Sequence, residues 1–275
     1  MPRTIPAALT PLKDGGRSLD DAAFAPYVEY LREHGADGVL ALGSTGEGIL
    51  FSVAERKRVI ELFAACSLPV IAHCGAQTTD DTLELVRFAA GLGIAGVAVI
   101  SPPYYPLDDE ALFAHMAAAA EACAPLPFYV YEFEKVSGYA VPVHVVERLR
   151  EHAPNLAGLK VSDAPFEKVS PYLLDGLDVF VGAEALIGAG LAAGAAGAVS
   201  AVASAFPGVV HDAVESGDST RAGELRAILD TFPRHAALKA VVKARGVPMN
   251  EDVRRPLRGL TDDERRTLLA AVEGF

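Results

Sequence analysis

Eight short apolar runs recur along the chain at a pitch that few folds can use. They begin near Pro6 (Pro-Ala-Ala-Leu-Thr), Gly38, Pro69, Gly96, Pro127, Leu156, Asp178 and Gly197, with starts 32, 31, 27, 31, 29, 22 and 19 residues apart. The runs are near-continuous rather than alternating in polarity, which marks strands buried on both faces. Between them lie stretches with helix start signals. Ser18-Leu-Asp-Asp precedes Phe24, Tyr27, Tyr30 and Leu31 at helical spacing, and Thr79-Asp-Asp-Thr precedes Leu83, Val86, Phe88 and Ala89. Strands alternating with helices form a parallel sheet covered on both sides, and eight such units close into a (β/α)8 TIM barrel. The expectation is an α/β fold with the barrel in residues 1–216. After the eighth run, helical pattern continues through Ala213 to Val242 and Asp262 to Val272. Only one barrel helix is owed there, so residues 217–275 read as a helical appendage packed on the same structural unit.

Half of the residues are hydrophobic (51%) and 22% are charged, enough apolar surface for a large core and too much for disorder. The longest apolar stretch, Ala183 to Val210, contains Glu184 and is broken by Gly and Pro, so it reads as core rather than membrane span. A net charge of −12 without a basic run argues against nucleic acid or an anionic membrane as partner. A small anionic substrate then needs a local positive or hydrogen-bonding pocket. Cys66, Cys74 and Cys123 make neither a CxxC nor an even framework, which fits a reducing compartment. The first residues, Met1-Pro-Arg-Thr-Ile-Pro-Ala, lack the charged-then-apolar order of a signal, so the cytoplasm is expected.

In a barrel of this kind, chemistry sits where strands end, in the loops at their C-terminal mouth. Lys160 closes the run Leu156-Ala-Gly-Leu-Lys. An ammonium in an apolar wall loses hydration, and the neutral amine is a nucleophile able to form a Schiff base with a carbonyl. A lysine that merely snorkels to solvent would look the same in isolation. The neighbouring run ends at Tyr131, whose phenol can relay a proton, although strand-end tyrosines are often simply packed. The second run ends in Gly43-Ser44-Thr45-Gly46-Glu47-Gly48, where glycines let the backbone curl and hydroxyls and N–H groups can cradle an anion. No Lys-Ser/Thr follows, so it is not a P-loop. His73-Cys74 has no third ligand nearby and reads as a core or rim pair, with no metal implied.

Lysine, tyrosine and a hydroxylated cradle on one rim resemble the dihydrodipicolinate synthase / N-acetylneuraminate lyase family of pyruvate-dependent class I aldolases. The resemblance runs from Ala7-Ala-Leu-Thr-Pro11 through Gly43-Ser-Thr-Gly-Glu47, Val70-Ile-Ala, Gly75-Ala, Ser101-Pro-Pro-Tyr-Tyr105 and Tyr131 to Gly158-Leu-Lys160 and Ala237-Leu-Lys239. It implies that Lys160 forms the Schiff base with a 2-oxo acid and that Tyr131 relays protons. Ser44 and Thr45 would bind the 2-oxo-acid carboxylate, Thr45 also joining the relay. Tyr104 would enter the site of a neighbouring subunit, giving at least a dimer and, on family precedent, a homotetramer built as a dimer of dimers. Gly43, Val199, Glu184 and Glu132 complete the candidate substrate-binding set, and no cofactor is implied.

The departures bear on substrate. Most members follow the tyrosine with Asn, an apolar residue and Pro, whereas here Glu132-Phe133-Glu134-Lys135-Val136 follows. Dihydrodipicolinate synthases carry arginine at the position of Val136, and sialate lyases carry a paired Asp-Glu where this chain has Ala183-Glu184. Glu132, Glu134 and Glu184 are therefore candidates for an altered acceptor pocket, with Glu134 and Lys135 also readable as a surface ion pair. The reading is a lyase that cleaves or forms a 2-keto-3-deoxy acid, its small-molecule partners a 2-oxo acid and an aldehyde. Dehydration of such an acid by the same imine, a dihydrodipicolinate synthase-like condensation, and non-catalytic binding of a 2-oxo acid remain as alternatives.

Overall fold

A computed structural model describes all 275 residues. The barrel strands are β1 (Arg3–Pro6), β2 (Val39–Ala41), β3 (Val70–His73), β4 (Gly96–Ile100), β5 (Phe128–Glu132), β6 (Leu156–Val161), β7 (Asp178–Val181) and β8 (Gly197–Ser200). All pair in parallel. β2 to β8 lie side by side in chain order, β1 pairs with β8, and a bridge between Ala7 and Leu40 closes the ring. Seven strands coincide with the apolar runs. The first ends where its run begins, because beyond the single bridge at Ala7 the chain from Ala8 to Thr10 leaves the sheet and stays buried beneath the loop that follows β2. There the Thr10 hydroxyl donates to the Gly46 carbonyl at 2.7 Å.

Seven α-helices cover the strands: α1 (Phe24–Glu33), α2 (Val53–Ala64), α3 (Thr79–Ala90), α4 (Asp109–Cys123), α5 (Val143–His152), α6 (Ile187–Ala192) and α7 (Pro207–Ser216). Ser18 does not cap α1; it sits in a two-residue hairpin with Leu12 and Lys13, and a 3₁₀ turn, Asp21–Ala23, leads into the helix. The cap of α3 is Thr78, whose hydroxyl accepts from the Asp81 N–H at 3.1 Å. No α-helix connects β6 to β7. Pro165 and Pro171 interrupt that segment, leaving two 3₁₀ turns, Phe166–Lys168 and Ser170–Tyr172.

Inside the barrel, Ile5, Leu40, Ile71, Ala98, Tyr129, Phe180 and Val199 fill the lumen. A much larger apolar cluster lies between strands and helices. The barrel is thus a packed core rather than a pore, open to ligand only at one mouth. Three further helices follow, α8 (Thr220–Leu229), α9 (Arg234–Ala244) and α10 (Asp262–Ala271). α8 packs on the turn after β7 and α9 reaches the loop after β2, so the appendage caps the same mouth that holds the candidate residues. No helix is long and apolar enough to cross a membrane.

Candidate active site

Side chains two apart on a strand share a face, so Tyr131 points inward above Tyr129, and Lys160 above Gly158. The β5–β6 register sets Tyr131 directly beside Lys160. The Lys160 Nζ lies 4.1 Å from the Tyr131 ring centroid. Lys160 is only 7% exposed, and its amine has no hydrogen bond or ion pair within the protein, so it is free to meet a ligand. The Tyr131 hydroxyl is 3.3 Å from Ser44 Oγ. The structure thus brings together lysine, tyrosine and the Ser44-Thr45 pair around one cavity of about 620 Å³, with Val199 in its wall.

The cradle after β2 is a strained turn held from below. Leu42 and Glu47 both have φ of 60°, a left-handed conformation rarely taken by such residues. A Cβ on Gly48 would lie 1.8 Å from the Leu42 carbonyl oxygen, so only glycine fits there. The Glu47 carboxylate accepts from Lys239 Nζ and from the Arg254 N–H, each at 2.6 Å, and neither Glu47 nor Lys239 has exposed side-chain surface. Burial pulls Lys239 below the usual ammonium range, while the Glu47 charge opposes that shift. His235 Nε2 adds a 2.9 Å hydrogen bond to the Ser44 carbonyl. With its backbone braced in this way, the loop leaves the Ser44 and Thr45 side chains facing the cavity.

The glutamates expected in an acceptor pocket do not act alike. Glu132 does not line the cavity: its Oε2 accepts from the Val141 N–H at 2.8 Å, and burial, with Asp163 nearby, pushes its carboxyl up to about 8. Glu184 does border the cavity but is fully engaged. One oxygen accepts from Ser200 Oγ (2.8 Å) and the Val202 N–H (3.1 Å), the other from Arg226 at 2.8 Å. Glu134 lines the cavity and pairs with Lys168 from the β6–β7 connection, not with Lys135. Lys135 turns a cation toward the cavity, whereas Val136 turns to a second, mostly apolar pocket of about 230 Å³. Gly43 also faces that second pocket rather than the main one.

Tyr104 stands away from both cavities of its own chain. It is 80% exposed, has φ of 86°, and meets the Tyr105 ring edge-on at 4.8 Å. His73 is a core residue: Nδ1 donates to the Leu42 carbonyl at 3.0 Å and the ring packs edge-on to Tyr131 at 5.7 Å. Burial drives its imidazole down to about 3, so it stays neutral. Cys74 is buried beside it.

Sequence reasoning missed the wall built by the appendage. Arg226, Asp230 and Arg234 all line the cavity, with Asp230 bridging Arg226 (2.8 Å) and Arg234 (3.0 Å). Their spacing of four residues was the available signal, but the same spacing occurs on any solvated helix face.

Residues 1–274 match the model of the Dihydrodipicolinate synthetase family. An uncharacterized DapA-like lyase of Halobacterium salinarum is 35% identical over 281 residues, covering 97% of this chain and 91% of that protein. A 4-hydroxy-tetrahydrodipicolinate synthase of Thermus thermophilus is 33% identical, covering 99% and 95%. Among solved structures, the E. coli K12 prophage protein YagE, of the dihydrodipicolinic acid synthase family and crystallised with pyruvate, superposes with a TM-score of 0.91. It is 22% identical, covering 100% of this chain and 98% of that one, and so shows the shared fold.

Proposed function

This chain belongs to the dihydrodipicolinate synthetase family and is a lyase of it, and from that premise we propose that it cleaves or forms a 2-keto-3-deoxy acid through an imine on Lys160, with pyruvate as one half. The observation that carries this is the Lys160 amine, enclosed yet without a partner, lying over the Tyr131 ring. Ser44 and Thr45 take the 2-oxo-acid carboxylate, which sets the ketone carbon against Nζ. Attack gives a carbinolamine, and loss of its hydroxyl as water leaves a protonated imine. Tyr131 supplies and recovers the protons; the resemblance assigns the next place in the relay to Thr45, but Ser44 is the residue 3.3 Å from the Tyr131 hydroxyl and takes that place here. Loss of the proton from the C4 hydroxyl sends the C3–C4 bonding electrons into the protonated imine, so that bond breaks to give an enamine and an aldehyde. Protonation of the enamine at C3 and hydrolysis of the imine release pyruvate and restore the Lys160 amine.

Tyr104 belongs to the assembly rather than to its own site. The second pocket, which runs under Ser44 and beside His73, offers a neighbouring copy's Tyr104 an entry to the cradle. That reading requires at least a dimer, and the likeness to the family extends it to a homotetramer built as a dimer of dimers.

Incubation with pyruvate and borohydride, followed by intact mass measurement and peptide mapping, tests the imine. A single reduced pyruvyl adduct on Lys160, absent from Lys160→Ala, is expected. Trapping at another lysine would overturn the assignment. Product analysis on a 2-keto-3-deoxy acid then separates C–C cleavage, which frees pyruvate, from loss of water, which keeps the carbon skeleton whole.

A further inference from the structure

Four carboxylates line the main cavity: Glu134, Asp163, Glu184 and Asp230. Three are neutralised by cations. Glu134 pairs with Lys168, Glu184 with Arg226, and Asp230 with both Arg226 and Arg234. Asp163 has no cationic partner in the structure and is only 6% exposed. Its Oδ2 accepts from the Glu134 N–H at 2.9 Å, which uses one of about four lone-pair positions on a carboxylate. Glu132, the last residue of β5, faces Asp163 across the β5–β6 mouth and is anchored on its other side by the Val141 N–H. Asp163 therefore sits in the wall on the β6 loop, two residues beyond the strand that carries Lys160, with acceptor capacity to spare.

We infer that Asp163, positioned by Glu132, is the specificity-determining group that accepts hydrogen bonds from hydroxyls on the aldehyde half, so that the substrate is a polyhydroxylated keto-deoxy acid. This rests on the lysine-imine reading. Lys168 lies near enough to feel the Asp163 charge but its hydrogen bond goes to Glu134. Asp163 is thus a buried carboxylate without an ion-pair partner of its own, and such an acceptor makes strong hydrogen bonds to neutral O–H donors. An alkyl aldehyde would leave it without a ligand, at a cost of the kind that lets a polar site reject an analogue lacking a hydroxyl.

Glu132 makes this wall sensitive to pH. Below about 8 its carboxyl holds a proton and can donate it to Asp163. Above that value two like charges are buried side by side, and Asp163 is pushed from its place. The other groups facing Glu132 are Glu134 and Tyr139 on its own loop and Lys168 and Tyr172 on the β6–β7 connection. Lys168 is held by Glu134, and burial pushes both phenols up, away from this range.

Steady-state condensation of pyruvate with D-glyceraldehyde, and separately with acetaldehyde, tests the assignment on the full-length enzyme. Asp163→Asn should raise KM for glyceraldehyde by about tenfold to a hundredfold, the loss expected for hydrogen bonds to a charged acceptor, and leave KM for acetaldehyde in place. Wild-type KM for glyceraldehyde should climb above about pH 8, and Glu132→Gln, whose amide donates at every pH, should remove that climb. Borohydride trapping of pyruvate on Lys160 should persist in both variants. Loss of trapping in the wild type would sink the imine reading itself. Normal trapping with acetaldehyde or succinic semialdehyde preferred over glyceraldehyde, or with the pH limb retained in Glu132→Gln, would overturn the role of Asp163 alone.

Discussion

Glu47 and Lys239 are opposite charges with no exposed side-chain surface, and neither can be removed alone without stranding the other. Lys239→Met should lower stability by about 3–5 kcal/mol, read as a drop in the urea midpoint. Adding Glu47→Gln should recover much of that loss, because the uncompensated charge is gone. His73 supplies a second expectation at this scale. Its imidazole titrates at about 3 in the folded protein and near 6.5 when exposed, so the unfolded chain binds the extra proton between those values. Stability contributed by neutral His73 is complete above about pH 6.5 and drains as pH falls toward 3. The slope approaches ~1.4 kcal/mol per pH unit for one proton. His73→Asn should lessen the acid slope of the urea midpoint between pH 6.5 and 4.5 relative to wild type; an unaltered slope would show that His73 is not the group responsible.

Among the elements, α8 is the one whose removal would reshape the cavity. Arg226 holds Glu184, whose side chain is wholly buried, while Arg226 itself keeps 28% of its side chain exposed. Arg226→Met should therefore cost about 2 kcal/mol, less than a fully buried pair, and Glu184→Gln in that background should restore most of it, checked by thermal melting. The strands were legible from the chain because each is a run of apolar residues. The absence of a helix after β6 was not, since the shorter 19-residue step from β7 to β8 still holds α6, and it is Pro165 and Pro171 that break the β6–β7 segment. Tyr131 and Lys160 were legible because they stand at the ends of two neighbouring apolar runs, which places both at one mouth of the barrel. The fates of the carboxylates were not. Glu184, Glu134 and Glu132 look alike in sequence; their differences come from Arg226, Lys168 and Val141, which lie 42, 34 and 9 residues away and meet them only in the fold.

For the whole molecule, the proposed exchange of Tyr104 between copies makes activity a property of pairs. Lys160→Ala subunits should be inert, and Tyr104→Phe subunits should turn over slowly while sedimenting as the wild-type assembly does. Mixed and reassembled, the two should exceed either parent, since a hybrid contains one site with both the intact lysine and an intact neighbouring tyrosine. Unchanged kinetics in Tyr104→Phe alone would remove the shared site. The surface carries a net charge of −12, so the entry of an anionic 2-oxo acid depends on the local field of the mouth, where Lys135, Lys168 and Arg234 stand.

The clasp of Lys239 and Arg254 on Glu47 joins residue 47 to the last fifth of the chain. A ribosome making this protein lays down Ser44 and Thr45 early, and all eight strands are complete by Ser200. Yet the turn that presents those hydroxyls lacks its underpinning until more than fifty further residues have emerged. A nascent or truncated chain can thus own every strand of the barrel and still lack the brace under the turn that carries Ser44 and Thr45.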